Sequence, residues 1–423
     1  MIKRFKDALA GSKREYILFI IASVFVGVGV AVNDTSFANR LSDDLHFDTF
    51  TRMALEFPRE LPGFLVVFVV GALLLLGDIR AAMLANLVAG VGMFAFGWID
   101  GPVPMVVFSI FLYSCGQHFY MPLINSIGMS FAKQGEEGRV LGRLASISNF
   151  VVLVAAAILY LLYKFMNLPF YIAFSLGGIS FFFAAFTFTF MNNHRLKAPK
   201  KRFVFKKEFK IFYALSVLNG LRKQFLITFA PWVLIFFFHC DVAVIAGLYF
   251  LMSLLGVLLR PVAGKLIDRL GERKVLMGEA TMLFILCFGY IFADYAKFNI
   301  MGIYLPVVIF AACYVLDNSI TFVGMARATY AKKIAPKPED VSPTLALGIS
   351  LDHVVAMILP LAGGFLWTQM GTDGYKYVFV VAALVSIANF LVARLIKVPR
   401  IHTDLPTDPT IETELLNEKE TSL

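Results

Sequence analysis

The chain has 423 residues, 59% of them hydrophobic and only 16% charged, with a formal net charge of +9 and a mean hydropathy of +0.77. That balance excludes an ordinary soluble domain. The basic residues fall between apolar runs rather than on an aromatic-interleaved face, which argues against nucleic acid as a partner.

The N-terminal stretch Met1–Arg14 is basic and precedes Tyr16–Ala38, which is too long for a signal-peptide core and lacks an A-x-A cleavage site. It reads as a retained first helix. Hydropathy then gives about twelve segments of membrane-spanning length. They lie at 15–40, 50–76, 81–99, 104–131, 140–164 and 168–191, and at 209–238, 243–263, 275–294, 302–330, 343–370 and 375–397. The expected fold class is all-α integral membrane, with twelve transmembrane helices in two six-helix pseudo-symmetric halves. The corresponding domains are a cytoplasmic segment 1–14, a first half 15–191, a basic cytoplasmic linker 192–208, a second half 209–398 and an acidic tail 399–423. The linker carries Arg195, Lys197, Lys200, Lys201, Arg202, Lys206 and Lys207, and the tail is too polar to form a core, so disorder is expected there.

Orientation follows from the loops. Lys3, Arg4, Lys6, Lys13 and Arg14, then Arg80, then Lys133, Arg139 and Arg143, then Lys332, Lys333 and Lys337 all fall on one side, whereas the opposite loops hold little beyond Arg40, Lys164, Lys297 and Lys376. The positive-inside rule places both termini in the cytoplasm of a multi-pass protein of the plasma (inner) membrane. The four cysteines, Cys115, Cys240, Cys287 and Cys313, lack C-x-x-C spacing, so neither a disulfide framework nor a metal site is expected. No cofactor is expected either.

The halves resemble each other weakly. Gly128-Met129 followed by Ile147-Ser148-Asn149-Phe150-Val151-Val152 has a counterpart in Gly324-Met325 followed by Ile349-Ser350-Leu351-Asp352-His353-Val354-Val355. Between spans eight and nine lies a charged knot, Gly264-x-x-x-Asp268-Arg269-x-Gly271-x-Arg273-Lys274, with a fainter partner at Gly77-Asp78-Ile79-Arg80. This knot resembles the loop motif of the major facilitator superfamily of secondary transporters, and the twelve-span layout with a basic centre extends the resemblance over nearly the whole chain. The resemblance implies a cytoplasmic gate in which Asp268, Arg269 and Arg273, framed by Gly264 and Gly271, hold helix ends together in one access state. The chain departs from the family in having Leu74 where the first-half aspartate belongs, in lacking the arginine of the proton-antiporter motif near Cys115-Gly116-Gln117-His118, and in lacking the Gly-Pro element of drug antiporters.

Ionisable groups inside apolar spans are costly and each is a site candidate. Asp317 lies near the middle of span ten with Tyr314 on its face, Asp352 and His353 lie at similar depth in span eleven, Asn219, Arg222 and Lys223 share a face of span seven, and Ser114 and His118 share one in span four beside Gln117. Proton coupling is expected through Asp317, Asp352, His353 or His118. Arg222 or Lys223 is expected to attract substrate, with Asn219, Gln117, Tyr314 and Asn149 giving direction, while one of the two cations pairs with Asp317 or Asp352. A helix-packing role for His118 is the alternative to proton handling. At the outer side, Arg52, Glu56 and Arg59 share a helical face that is expected to form a gate by pairing Asp34 with Arg52 or Arg59; the alternative places these charges in the headgroup region.

The function expected is secondary active transport of a small polar or anionic solute by alternating access, coupled to protons or to sodium, by a monomer that needs the bilayer and its small-molecule substrate as partners. Efflux of amphipathic compounds by the same fold, a membrane enzyme and a non-transporting sensor are the alternatives. An enzyme is disfavoured because the chain has no H-E-x-x-H, Ser-x-x-Lys or Walker pattern that fits.

Overall fold

Apolar runs in a bilayer have to satisfy every backbone N–H and C=O internally, and a helix does so within one segment. The computed structural model describes residues 2–132, 137–192, 205–300, 303–337 and 340–397. Most of the linker, from Arg195 to Arg202, and the whole expected tail lie outside the described residues. In chain order the helices are α1 (Ile2–Asn39), α2 (Thr49–Ala54), α3 (Glu56–Leu76), α4 (Asp78–Trp98), α5 (Val103–Ser130), α6 (Glu137–Met166) and α7 (Phe170–Phe188), followed by α8 (Lys210–Gln224), α9 (Ala230–Trp232), α10 (Val242–Phe292), α11 (Leu305–Ile320), α12 (Met325–Ile334), α13 (Val341–Gln369) and α14 (Gly374–Arg394). The strands β1 (Asn299–Ile300) and β2 (Ile303–Tyr304) form a minimal hairpin ahead of α11, so the tenth apolar segment begins a little later than its hydropathy implies.

Ten helices among the described residues are long and apolar enough to cross a membrane. The two expected spans outside these ten correspond to α3 and α5. They are 21 and 28 residues long; α5 carries Ser114, Gln117, His118, Asn125 and Ser126, which lower its apolarity, whereas α3 opens with Glu56, Arg59 and Glu60 and then runs apolar. Large apolar side chains stand exposed on the outer surface, among them Phe108, Phe165 and Leu258, as lipid contact requires. The chain is an integral, multi-pass membrane protein.

Local breaks follow local chemistry. Asp48 caps α2 by accepting from the Thr51 amide at 3.0 Å and its hydroxyl at 2.6 Å; partial burial opposes ionisation, but these Thr51 bonds outweigh it and hold the Asp48 carboxyl below its ordinary value. Helix α10 is two helices end to end, turned at Gly271, whose φ of 77° only glycine adopts without strain. Gly77 makes the same turn ahead of α4, with φ 85°. Helices α8 and α9 follow one path interrupted by π turns at Phe225–Phe229 and Val233–Phe237.

In the first group α1 packs on α6 and α7, and α4 packs on α5 and α7; in the second α8 packs on α13 and α14, and α10 packs on α11 and α14; α3 against α13 and α6 against α10 join the two groups. The apolar core is distributed unevenly between the two ends. On the side facing away from the linker, one continuous cluster runs through both groups and includes Phe37, Phe174, Trp232, Phe310 and Tyr375. On the linker side the core splits into one cluster around Phe19, Tyr120 and Leu144 and another around Phe212, Ile267 and Tyr330. Asn39 donating to the Cys240 carbonyl at 3.2 Å and Trp232 Nε1 donating to Thr49 at 3.1 Å further bind the two groups on the far side.

Close helix approach inside the first group depends on glycine. A Cβ at Gly116 of α5 would strike the backbone of Ala85 and Ala89 in α4, and one at Gly92 of α4 would strike the backbone of Tyr113 and Ser109 in α5. Gly116→Leu is expected to cost about 1–3 kcal/mol through overpacking and to lower the midpoint of thermal aggregation followed by size exclusion, whereas Gly278→Leu, where a Cβ meets nothing within 4 Å, is expected to leave it unchanged. Equal midpoints for the two variants would contradict this packing.

Candidate functional site

Five cations and five carboxylates from seven helices form one connected system. Arg52 of α2 binds Glu56 at 2.6 Å, Glu56 binds Arg59 at 2.6 Å, and Arg59 binds Glu60 at 3.1 Å, the last three residues forming the first turn of α3. Glu60 then reaches the second helix group: its Oε2 lies 3.3 Å from Lys223 Nζ in α8 and 2.7 Å from His353 Nδ1 in α13. Lys223 is also 3.1 Å from Asp352. Asn219 donates to Asp352 at 2.9 Å and accepts from Arg327 at 2.6 Å; Arg327 binds Glu279 at 3.1 Å, and Glu279 lies 3.6 Å from Arg222, which binds Asp317 at 2.9 Å. Tyr290 donates its hydroxyl to Asp317 at 3.3 Å. Every cation in this connected system has a carboxylate partner, which is how charges persist in a low-dielectric interior.

The helical repeat explains the first part. Residues 52, 56 and 59 recur at i, i+4 and i+7, so three charges stack on one face. The second part depends on a close approach of α3 to the two histidines. A Cβ on Gly63, one turn beyond Glu60, would lie 2.6 Å from the His353 ring and 2.7 Å from the His118 ring. Only glycine leaves room for both imidazoles, whose centroids stand 4.9 Å apart. His118 Nδ1 is 2.9 Å from the Ser114 carbonyl and 3.0 Å from the Ser114 hydroxyl, and that hydroxyl donates to the Arg59 carbonyl. Pro122 removes the amide that would bond the His118 carbonyl and loosens α5 there.

On the linker side of the histidines is a cavity of about 320 Å³. Gly63, Val66, Met121, Pro122, Ile124 and Ile349 give it apolar walls, and His118, Asn125, Ser350 and His353 give it a polar edge.

Several expected site residues lie elsewhere or pair differently. Arg222 and Lys223 diverge, Arg222 to Asp317 and Lys223 to Asp352 and Glu60. Tyr314 is buried and donates to Tyr249 at 3.4 Å, and neither tyrosine belongs to the ion-paired chain. Gln117 and Asn149 are half-buried and make no side-chain hydrogen bond among the described residues. Asp34 makes no ion pair with Arg52 or Arg59; its carboxylate accepts from Asn33 at 3.1 Å, because the two arginines are taken by Glu56 and Glu60. At the knot, Asp268, Arg269 and Arg273 are exposed and make no ion pair among the described residues, and Gly264 has open space around it. The pair formed there is Glu272 with Lys333 of α12, at 2.6 Å. The turn at Gly271 points Glu272 toward α12 and leaves Asp268 on the solvent face. Asp78, which follows the matching turn at Gly77, accepts from Ser126 at 3.4 Å.

Glu60, Glu279, Arg327 and Tyr290 were not among the expected site residues. The signal was present for Glu279 and Arg327, since both are ionisable groups inside apolar segments; Glu60 carries no signal beyond its place beside Arg59 at the start of span two.

A helical membrane protein with two packed groups, a charge system between them and a cavity beside it has the architecture of a transporter rather than of an enzyme. The family model described as Major Facilitator Superfamily matches residues 19–329, and the chain belongs to that superfamily of secondary transporters. The search of curated proteins gives no match. Among solved structures, the nucleoside transporter NupG is similar at 12% identity with a TM-score of 0.70, over 89% of this chain and 97% of that one. A POT family transporter in complex with a thioalcohol conjugated peptide is similar at 12% identity and TM-score 0.69, over 88% and 95%. A bacterial metal transporter is similar at 15% identity and TM-score 0.63, over 89% and 97%. At these identities the likeness shows the fold.

Because Arg222 and Asp317 are both buried, removing one leaves an uncompensated charge. Asp317→Ala is expected to cost about 3–5 kcal/mol, whereas the double change Arg222→Met with Asp317→Leu is expected to restore most of that loss. Thermal melts of the two variants in nanodiscs test this; a double variant no more stable than the single would contradict the pairing.

Proposed function

We propose that the protein moves a small amphipathic solute by alternating access and couples that movement to protons through Glu60, His353 and Asp352. The observation that carries this reading is the position of Glu60, shared between Lys223 at 3.3 Å and His353 at 2.7 Å across the two helix groups. A proton on Glu60 weakens both ties together. Lys223 keeps its second carboxylate, Asp352 at 3.1 Å, so its charge remains paired while α3 is released. Proton arrival is thereby converted into freedom of one half to move against the other.

Two features support the amphipathic class over the anionic one. The arginine and lysine expected to meet an anion are neutralised by Asp317, Glu279, Asp352 and Glu60, so an anionic group has to displace an existing pair. The cavity offers mainly apolar walls with a short polar edge. In this reading the linker side is cytoplasmic, by its basic loops, and the conformation is open toward it: the core is split there and joined on the opposite side. The knot residues Asp268, Arg269 and Arg273 are then a gate in its released state, with Glu272 and Lys333 still holding α10 to α12. The protein acts as a monomer, each chain containing both halves and the site.

A thermal-shift screen of metabolites on purified protein identifies a ligand, and proteoliposomes then separate exchange from coupling. An imposed proton gradient is expected to concentrate that ligand with the wild type. Glu60→Gln and Asp352→Asn are expected to lose at least about tenfold of the gradient-driven accumulation, which corresponds to roughly 1.4 kcal/mol of coupling, while retaining counterflow. Unchanged gradient-driven accumulation in both variants would contradict the coupling assignment.

A further inference from the structure

The two histidines beside Glu60 do more than their hydrogen bonds require. We infer that Glu60, His118 and His353 form a binding site for one borderline divalent transition-metal cation, of the zinc, cobalt or nickel kind, held between the two halves. One ligand atom from each residue lies within 4.8 Å of the other two, and all three side chains are buried, at 2%, 8% and 5% exposure. Two imidazoles and a carboxylate are a donor set for such a cation and a poor one for magnesium or calcium.

The protonation pattern already favours a metal. His118 Nδ1 sits 2.9 Å from the Ser114 carbonyl, an atom that only accepts, so the proton is on Nδ1 and Nε2 carries a free lone pair. His353 Nδ1 faces Glu60 at 2.7 Å and donates to the ionised carboxylate, which leaves its Nε2 as an acceptor too. For His118 this is the arrangement in which an outer hydrogen bond, to the Ser114 carbonyl, fixes the tautomer of a metal-ligating histidine, while Glu60 faces His353 as a fellow ligand. The opposing charges are Lys223, 3.3 Å from Glu60, and Arg59, 3.1 Å from it. Lys223 has Asp352 to fall back on and Arg59 has Glu56, so a cation can take Glu60 without stranding either. The histidines line the cavity, which gives the ion an approach and leaves coordination positions open to a solute. Since Glu60 and His118 belong to the first helix group and His353 to the second, the bound ion holds the halves in this conformation. The inference does not rest on the transport reading, because binding is measured without solute or gradient.

The test is titration calorimetry on full-length protein carrying no histidine tag, with zinc and magnesium chloride, together with the visible absorption spectrum of the cobalt-loaded protein. One zinc per chain, no magnesium heat and cobalt bands of nitrogen ligation are expected. His118→Ala and His353→Ala should each weaken zinc at least about tenfold, while His239→Ala, at a distant loop, should not. The absence of zinc and cobalt binding to the wild type would overturn the inference. So would zinc affinity that survives the loss of either histidine in a monodisperse variant. If His353→Ala does not fold, His353→Asn and the wild-type cobalt spectrum decide the question.

Discussion

Glu60 cannot be ionised in this interior without partners, and every partner it has comes at a structural cost. Arg59 is its neighbour in sequence, but Lys223 and His353 come from the other half of the chain. To bring them within reach, α3 has to approach α13 closely, and Gly63 and the loosened turn at Pro122 permit that approach. The remaining ion pairs follow from the same rule. Once Lys223 and Arg222 enter the interior of α8, each needs a carboxylate, and Asp352, Asp317 and Glu279 supply them, with Arg327 balancing Glu279. The charge system is balanced at five against five, and Glu60, held by Lys223 and His353, is the member that links the two halves. That tie lies at the contact between the halves.

The core tells a matching story about shape. A single apolar cluster joins the halves on the side away from the linker, and two separate clusters occupy the linker side. Apolar burial holds one end of the interface shut, and a small set of ionic contacts holds its middle. Rocking of the halves needs the second set to be breakable, and ionic contacts to a titratable carboxylate are breakable in a way that packed aromatic side chains are not.

Much of this was legible in the sequence. Apolar runs of the right length marked the helices, and the charged knot marked the turn at Gly271. The same turn at Gly77 was signalled by a much weaker pattern, Gly-Asp-x-Arg, because a helix-breaking backbone needs only the glycine and not the charges around it. Charges within apolar runs marked Asp317, Asp352, Arg222 and Lys223, which the fold gathers into the buried ion-pair system. Pairing was not legible, since it depends on which residues face each other across helices far apart in sequence. Asp34 was the natural partner for Arg52 and Arg59 by proximity, yet Glu56 and Glu60 on the same helix are nearer and take both. Gln117 and Asn149 are half-buried and belong neither to the ion-paired system nor to the cavity lining. The role of Gly63 had no sequence signal at all, because it arises only where three helices meet.

The central claim is that Glu60 ties the halves together in this conformation. The most direct measurement is the distance distribution between spin labels at Phe50 of α2 and Thr372 before α14, on the side away from the linker, in protein whose four native cysteines have been replaced. The wild type should give one short, narrow population, and Glu60→Gln should lengthen and broaden it, because a neutral side chain holds neither Lys223 nor His353 as firmly. The same short, narrow distribution in both proteins would contradict the claim.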